Sequence, residues 1–573
     1  MSMINNKIPN WDLSDIYKST TDPKIKTDKD KVNKLVDNFN KKYKGKLSSL
    51  LLPAIKDIET ITDKLNLLSG FSYLIYSTNT KDYKISHFYQ EIQEFISTIE
   101  SKIVWFEVEL VKSSTQINEY KHYLNKVRSF KPFTLDEKSE VILKKKDQTS
   151  NSAFVRFYDE IDSRMEFDKK TYSEIAAIFQ NDKNRNKRKN AGLQIAKNLK
   201  DNFSSYLFIL NTLLLDKKID DEIRNFNFPQ QATFFSYEVD QKIVDAMSKV
   251  ISSNYSISER YYKAKSKIIG SKLYEWDRYN DIYPDIKQKI DWDQSKEIIL
   301  NTFKGFSDEF YKMAKDFFDF NWIDAKVKIG KTSGAYCSYV SNSIHPYVFM
   351  NFTNDSSSVR TLAHELGHAV HGVLSKENSV LEYRPSTATA EIASVFSEAI
   401  IFDELYKKAK TKKEKINLLG NKLQETFATV FRQNAFFKFE SELHEKRRKD
   451  GELSLETVNN LYQKHLQPMF GKGLTLSDNH KYMWMIISHF YHYNFYVFTY
   501  SFGELLAMSL YAIYKKEGQK FVEKYVKALS LGGSKSPTEI TKTMGVTITD
   551  EKFWEAGIEL INDRVKEFEQ LVI

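Results

Sequence analysis

The chain has 573 residues, of which 41% are hydrophobic and 28% charged, and its formal net charge is +9. This composition excludes a generally disordered chain, and the small positive excess is spread over a long sequence. The single cysteine, Cys337, excludes an internal disulfide and a cysteine-based metal site. With 19 glycines and 10 prolines, the sequence favours long helices over a turn-rich β architecture.

The first part of the chain reads as a helical lobe. Segment 1–17 has no apolar core region and no small-residue cleavage site, so we expect no signal peptide and a cytoplasmic protein. Residues 1–190 are rich in lysine and show helical periodicity, most clearly over 83–113. The charge run 182–190 is typical of a solvated loop or helix start. It marks the predicted boundary between an N-terminal helical lobe and a second domain, 191–573.

The pattern changes over 324–352, where short β-prone runs are separated by polar turns. These runs predict a small sheet embedded in a helical protein. Two helices are predicted next, over about 357–375 and 386–409, and Asn354, Asp355 and Ser356 are N-cap candidates for the first. Further helices are predicted over 411–447, 454–467 and 477–516, and from a capping box at Ser536.

One stretch, 483–514, lacks Lys and Arg and requires a membrane check. It contains His489, His492, Asn494 and Glu504 and is rich in tyrosine. A bilayer would tolerate these polar groups poorly. We therefore predict a buried helix with a polar lining.

The pattern His364-Glu365-Leu366-Gly367-His368 lies inside the first of the two central helices. Two histidines four residues apart occupy one helical face, so both imidazoles can bind a single Zn²⁺. Glu365 is then placed to take a proton from water at the metal. Gly367 allows another element to approach this helix closely.

A catalytic zinc needs a third protein ligand, and the sequence predicts Glu391 on the following helix. An antiparallel helix pair would bring this carboxylate back to the metal. Its small, apolar neighbours indicate a buried turn, where a carboxylate needs a cation. Glu398 lies two turns further along the same face and is predicted to orient His364 or His368 through the remaining ring N–H.

The metzincin class of zinc proteases is excluded, because it requires a glycine and a histidine where this chain has His371 and Leu374. His371 falls close to the face of the two predicted ligands. We interpret it as a histidine that packs beside the site or supports a ligand.

Together these motifs resemble those of the thimet-oligopeptidase-like zinc metallopeptidases, most closely their oligoendopeptidase F branch. The resemblance rests on HELGHAVHG, AEIASVFSE, KTSGAYCSYV, HPYVFMNFTNDSSSVRTLAHELGH and HFYHYNFYVFTYSFGEL. It implies His364, His368 and Glu391 as zinc ligands, with Glu365 as general base. It also implies a mainly α, two-lobed helical clam, whose deep central channel admits short peptides and whose small sheet lies next to the zinc. Thermolysin has an aspartate four residues after its glutamate ligand, where this chain has Val395. This difference weakens a thermolysin interpretation.

The resemblance also implies a role for the aromatic segment 489–500. In the family, a histidine and a tyrosine from a late helical segment stabilise the oxyanion of the reaction. The counterparts here are His489, Tyr496 and Tyr500, and the spacing cannot dismiss His492 and Tyr493. The alternative for any one tyrosine is simple core packing.

Substrate contacts are predicted from the segment before the metal helix. Gly334 and Tyr336 lie in a run that resembles the family's glycine-containing substrate loop, where Gly334 would give mobility. The strand 345–352 is predicted to present an exposed edge that pairs with the peptide backbone. The residues of this strand that are predicted to bind substrate are His345, Tyr347 and Phe349.

The leading hypothesis is a zinc metalloendopeptidase with one Zn²⁺ per chain, which hydrolyses short peptides and has no nucleic-acid or membrane partner. A non-catalytic peptide-binding protein is a second hypothesis, and the presence of Glu365 beside both histidines argues against it. A nucleic-acid or membrane-surface protein is a third. The diffuse charge, and aromatics that are not interleaved with Lys and Arg, argue against that one. Oligomeric state and cleavage preference stay open.

Overall fold

The structure is a computed structural model that describes residues 8–286 and 288–573. Residues 1–7, which belong to the segment expected to contain no signal peptide, lie outside the described residues. The described chain is mainly α-helical with small sheets, which confirms the predicted fold class.

The helices of the first half, in chain order, are α1 (Pro23–Tyr43), α2 (Leu51–Thr78), α3 (Tyr83–Lys112), α4 (Lys121–Ser129), α5 (Glu137–Asp147), α6 (Asn151–Ser163), α7 (Tyr172–Asn181), α8 (Arg185–Asp201), α9 (Phe203–Arg224), α10 (Gln231–Ser236), α11 (Gln241–Ser253), α12 (Ser256–Ile269), α13 (Trp292–Phe306) and α14 (Asp308–Asp319). Those of the second half are α15 (Ser356–Leu374), α16 (Thr387–Lys408), α17 (Lys412–Thr426), α18 (Gln433–Asp450), α19 (Leu455–Phe470), α20 (His489–His492), α21 (Phe498–Glu517), α22 (Gln519–Ser530), α23 (Pro537–Thr543) and α24 (Glu551–Val572). The strands are β1 (Glu166–Phe167), β2 (Lys170–Thr171), β3 (Ile323–Asp324), β4 (Tyr336–Ser338) and β5 (Tyr347–Phe349).

The chain divides into two compact units, each assembled from three separate stretches. Unit 1 comprises Met1–Lys131, Gln288–Lys407 and Ile513–Thr547. Unit 2 comprises Pro132–Lys287, Lys408–Ala512 and Ile548–Ile573. This division differs from the predicted one, because residues 132–190 group with unit 2 and the chain returns to each unit twice. A boundary drawn on local composition assumes contiguous domains, and these units are not contiguous.

Unit 1 contains helices α15 and α16, which carry the predicted zinc ligands, and the sheet that precedes them. The long helices α1, α2 and α3 pack together around an apolar core. Helices α13, α14 and α22 pack against α15, and so do strands β4 and β5. The predicted small sheet therefore lies directly against the helix that carries the His-Glu-x-x-His pattern.

The three-stranded sheet has the order β3-β5-β4, with β5 parallel to β3 and antiparallel to β4. The predicted strand over 345–352 exists, but its expected exposed edge is wrong, because β5 is the central strand and pairs on both sides. The outer position beside it belongs to β4. The β-prone run 325–330 is not a strand. Just after this run, the side chain of Lys331 folds back toward the sheet. Its Nζ donates to Asp324 Oδ1 and to the Met350 carbonyl, both at 2.6 Å.

In unit 2, α24 packs against α11, α12 and α17, and α18 packs against α19. The charge run 182–190 does begin a helix, since the Asn184 side chain caps α8. It is only partly solvated. Arg188 is buried and, together with Arg185, donates to the buried carboxylate of Asp277.

The segment predicted as one helix over 477–516 is interrupted. A 3₁₀ stretch, Asp478–Ile486, is followed by the short α20 and then by α21. Between α20 and α21, Phe495 has a φ of +60°, which a continuous right-handed helix cannot accommodate. Among the described helices, none combines the length and the apolar character that a membrane crossing needs.

Candidate metal centre

The metal helix α15 begins where the sequence predicts it. Asp355 is the N-cap, and its Oδ1 accepts the backbone N–H of Ser358 at 2.8 Å. This start places His364 and His368 one turn apart, and their ring centroids lie 5.0 Å apart. The helix is also covered on several sides, and the two imidazoles are half-buried.

Gly367 allows α16 to approach α15 closely, as predicted. A Cβ atom built at Gly367 would lie 2.5 Å from the Ala393 carbonyl oxygen and 2.7 Å from the Ser394 Cα. No larger residue fits there without moving one helix. Because Glu391 lies on the same stretch of α16, this approach brings its carboxylate to the two histidines.

Three ligand-type atoms converge at this point. Glu391 Oε2 lies 3.3 Å from His364 Nε2 and 3.4 Å from His368 Nε2. These separations exceed the ordinary 2.7–3.2 Å of an N–H···O hydrogen bond. A tetrahedral zinc with bonds of about 2.0–2.1 Å places its ligand atoms roughly 3.3–3.4 Å apart. The three side chains are the one such cluster found among the described residues, and their spacing fits a zinc ion.

The charges within the cluster complement one another. Burial alone would raise the pKa of the Glu391 carboxyl, but His368 and His364 outweigh it and hold that pKa well below its usual range. Burial alone would lower the pKa of His364, but the neighbouring carboxylates of Glu391 and Glu398 raise it well above its usual value. The Ser394 hydroxyl also donates to Glu391 Oε2 at 2.6 Å. The carboxylate is therefore kept ionised, as a metal ligand requires.

Glu398 lies beside the first histidine. Its Oε2 is 3.7 Å from His364 Nδ1, and its Oε1 accepts from the Arg360 guanidinium at 2.9 Å. Of the two histidines left open by the sequence, it is therefore His364 that Glu398 approaches. His371 is buried, and burial lowers its pKa to about 3, which keeps its ring neutral. It does not belong to the ligand cluster.

Glu365 lies within the same site and is not part of the ligand set. Its side chain is mostly buried, and burial raises the pKa of its carboxyl, although the neighbouring histidines oppose this shift. Among the described residues, none forms a hydrogen bond with this carboxylate. It is thus open to exchange a proton with a small molecule beside it.

The late aromatic residues form a cluster within unit 2. The His489 Nε2 and Tyr500 Oη atoms are 3.1 Å apart, and the rings of His489 and Tyr496 stack at 6.0 Å. His492 is engaged elsewhere, since its Nε2 pairs with Asp159 Oδ1 at 2.9 Å. Tyr493 is 63% exposed. Of the two histidines left open, His489 is therefore the one that contacts Tyr500.

The predicted substrate residues have different settings. Gly334 is exposed with a φ of +82°, and Tyr336 begins the outer strand β4. Tyr347 and Phe349, two of the predicted substrate-binding residues, have fully buried side chains in the central strand. His345 stacks on Trp322, and its Nε2 pairs with Asp15, which ties the N-terminal segment to the sheet.

Three supporting residues were missed by reasoning from sequence: Arg360, Ser394 and Asn351. Arg360 stands four residues before His364 and Ser394 three after Glu391, so helical spacing could have signalled both. Asn351 donates to the carbonyls of Thr332 and Gly334 at 2.9 and 3.1 Å, which ties down the loop before β4. Nothing local in the sequence signals that contact.

Comparison with known proteins identifies the family. Residues 178–560 match the model of peptidase family M3, and residues 108–167 match that of Oligopeptidase F. Oligopeptidase PepF of Bacillus subtilis is 24% identical, over 98% of this chain and 87% of that protein. The plasmid oligoendopeptidase F of Lactococcus lactis subsp. cremoris is 27% identical, over 100% and 99% of the two chains.

A similar fold is found among solved structures. The crystal structure of oligoendopeptidase-F from Enterococcus faecium superposes with a TM-score of 0.71 at 20% identity, covering 96% of this chain and 99% of that one. The family match spans well over half of the sequence. The chain therefore belongs to peptidase family M3, and it is a metallo-oligopeptidase.

Proposed function

We propose that this protein is a zinc-dependent endopeptidase that hydrolyses short peptides, with Glu365 as general base. The observation that carries the proposal is the convergence of two imidazole nitrogens and one carboxylate oxygen at 3.3–3.4 Å, with Glu365 beside them. Two neutral-nitrogen ligands and one carboxylate form a ligand set that suits a catalytic Zn²⁺. A non-catalytic peptide-binding protein would have no need of the additional carboxylate.

The roles of the residues follow from their positions. His364, His368 and Glu391 would hold one Zn²⁺, which supplies Lewis acidity toward water and a peptide carbonyl. Ser394 orients the Glu391 carboxylate, and Glu398, itself paired with Arg360, lies beside His364. These contacts hold the ligand side chains in place before any ion binds.

Glu365 carries the proton transfers in this proposal. It takes a proton from the attacking water and later gives it to the leaving amine, so that the peptide C–N bond breaks with protonation of the nitrogen. Burial raises the pKa of its carboxyl, which favours a group that must both accept and donate near neutral pH.

Peptide binding is proposed at the outer strand of the sheet. Strand β4 pairs with β5 on one side, and among the described residues no strand pairs with its other side. An extended peptide could add there as a further strand, with recognition through main-chain hydrogen bonds. This replaces the expectation that 345–352 offers the edge, since both sides of β5 are already paired.

The oxyanion role of His489, Tyr496 and Tyr500 stays a prediction. The contact between His489 and Tyr500 supports their acting as one group. We also infer a cytoplasmic location, which the single cysteine supports, and no nucleic-acid or membrane partner.

The test of the proposed function is peptide cleavage by Glu365→Gln. This variant should retain zinc and peptide binding while losing turnover by several orders of magnitude, because the amide cannot accept the proton. Glu377→Gln is the control, since Glu377 is exposed and lies just beyond the metal helix. A mixed peptide library with and without chelator gives the metal dependence. Near-normal hydrolysis by Glu365→Gln would exclude Glu365 as the base.

A further inference from the structure

The turn between α20 and α21 contains one strained residue. Phe495 has a φ of +60°, a left-handed conformation that residues other than glycine rarely adopt, and it is fully buried. Such a conformation persists only where surrounding contacts over-determine it. The contacts that hold this residue therefore fix the turn.

Two side chains hold the peptide group that joins Asn494 to Phe495, one at each end. The Thr233 hydroxyl donates to the Asn494 carbonyl at 3.0 Å. The Phe495 N–H donates to Glu440 Oε1 at 2.6 Å. The Phe495 ring also lies against the imidazole of His444, with centroids 4.6 Å apart. The peptide plane is thus fixed from α10 on one side and from α18 on the other.

Burying the Glu440 carboxyl group at this position is energetically unfavourable. It is 2% exposed, and its Oε2 has no hydrogen-bond partner among the described residues. A buried carboxyl with one oxygen unsatisfied is destabilising, so packing alone gives no reason for it. Burial raises its pKa to about 8, so the group is mostly uncharged at neutral pH. The Phe495 N–H is the one hydrogen-bond partner that the described residues give it.

The fixed turn determines how the aromatic cluster is assembled. His489 lies on α20, whereas Tyr496 and Tyr500 follow the turn. The 3.1 Å contact between His489 and Tyr500 joins residues on opposite sides of Phe495. A change in the Asn494–Phe495 peptide plane would re-aim one side of the cluster relative to the other.

We propose that Glu440, together with Thr233, is a positioning residue that fixes the Asn494–Phe495 peptide and thereby holds His489 against Tyr500. Neither residue needs to touch a substrate. The catalytic consequence rests on the proposed function, whereas the positioning does not.

Hydrogen exchange followed by mass spectrometry tests the positioning. Glu440→Ala should raise exchange over 488–500 by tenfold or more, on the order of one lost buried hydrogen bond. Glu440→Gln keeps an acceptor of the same shape and should restore protection. Thr233→Val removes the opposite bond with little change in volume, so it decides the matter if Glu440→Ala does not fold.

Asn211→Ala is the matched control. Asn211 is buried in the same unit, and its Oδ1 accepts the Leu453 N–H at 2.8 Å. Its loss should expose the loop near 453 and leave 488–500 protected. Unchanged exchange over 488–500 in both Glu440→Ala and Thr233→Val would overturn the proposal, and so would an equal rise throughout unit 2.

Kinetics test the consequence for catalysis. With zinc content unchanged, Glu440→Ala should lower kcat by about 10- to 100-fold with KM nearly constant, within the loss seen when an oxyanion donor is removed. Glu440→Gln should recover most of kcat. A normal kcat in Glu440→Ala would overturn the catalytic part. If the wild-type protein cleaves no peptide, the proposed function fails, while the exchange measurement still decides whether Glu440 positions the turn.

Discussion

Replacing Gly367 by alanine probes how closely the metal ligands depend on the approach of α16 to α15. The added Cβ would lie 2.5 Å from the Ala393 carbonyl oxygen, and real Cβ atoms essentially never approach within 3.0 Å. The helices must therefore separate by at least 0.5 Å, the difference between these two distances. A metal–ligand distance tolerates only about 0.2 Å of deviation. We expect Glu391 to be displaced from its place beside the histidines.

The substitution should affect stability and zinc affinity to different extents. Overpacking costs about 1–3 kcal/mol, while alanine gains about 1 kcal/mol over glycine inside a helix. The metal-free protein should therefore lose about 0–2 kcal/mol of stability. Zinc affinity should fall about 10- to 100-fold, as when a supporting contact of a metal site is lost. The larger effect should thus be on metal binding.

Competition with a chromophoric chelator measures the zinc affinity, and thermal melting without metal measures the stability. Gly305→Ala is the control, because no atom lies within 4 Å of its added Cβ and the residue is also helical. It should stabilise slightly and leave zinc affinity unchanged. A Gly367→Ala protein that binds zinc as tightly as the wild type would refute the argument that close helix approach sets the ligand geometry.

Three further results are expected. Glu391→Ala should lose zinc on dialysis because a ligand is gone, and full occupancy by metal analysis would remove Glu391 from the ligand set. Tyr500→Phe should lower kcat about 10²–10³-fold with little change in KM, whereas a normal kcat with a shifted melting temperature would assign Tyr500 to packing. Burial raises the pKa of Glu440 from 4.5 to about 8, so its contribution to stability is full below pH 4.5 and is lost as pH rises through about 8. Between pH 6 and pH 8 the wild type should lose about 2 kcal/mol relative to Glu440→Gln, at about 1.4 kcal/mol per pH unit; parallel stability curves for the two proteins would contradict this.

The metal helices were predictable because their signals are local. Asp355 caps α15 as its position suggests, and Ser536 forms the predicted capping box at the start of α23. The four-residue spacing of His364 and His368 places both on one face in any helix. Glu391, the proposed third ligand, was selected for its small apolar neighbours, although 40% of its own side chain is exposed.

Features that depend on distant chain segments were not predictable in this way. Strand order in the sheet follows from pairing between β3, β4 and β5, and the sequence of each strand alone does not reveal which is central. The break at Phe495 depends on Glu440 and Thr233, which come from two other helices. The two units escaped prediction because each gathers three separate stretches of chain.

The discontinuity of unit 1 has a consequence for biosynthesis. The Tyr525 hydroxyl donates to the Ile392 carbonyl at 3.0 Å, one residue beyond the candidate ligand Glu391 and 133 residues earlier in the chain. Helix α22, which also packs on α15, leaves the ribosome long after both metal helices. A nascent chain that ends between residues 408 and 519 would carry all three candidate ligands and lack α22. Zinc retention by ribosome-stalled chains of increasing length should therefore rise late, once α22 has emerged.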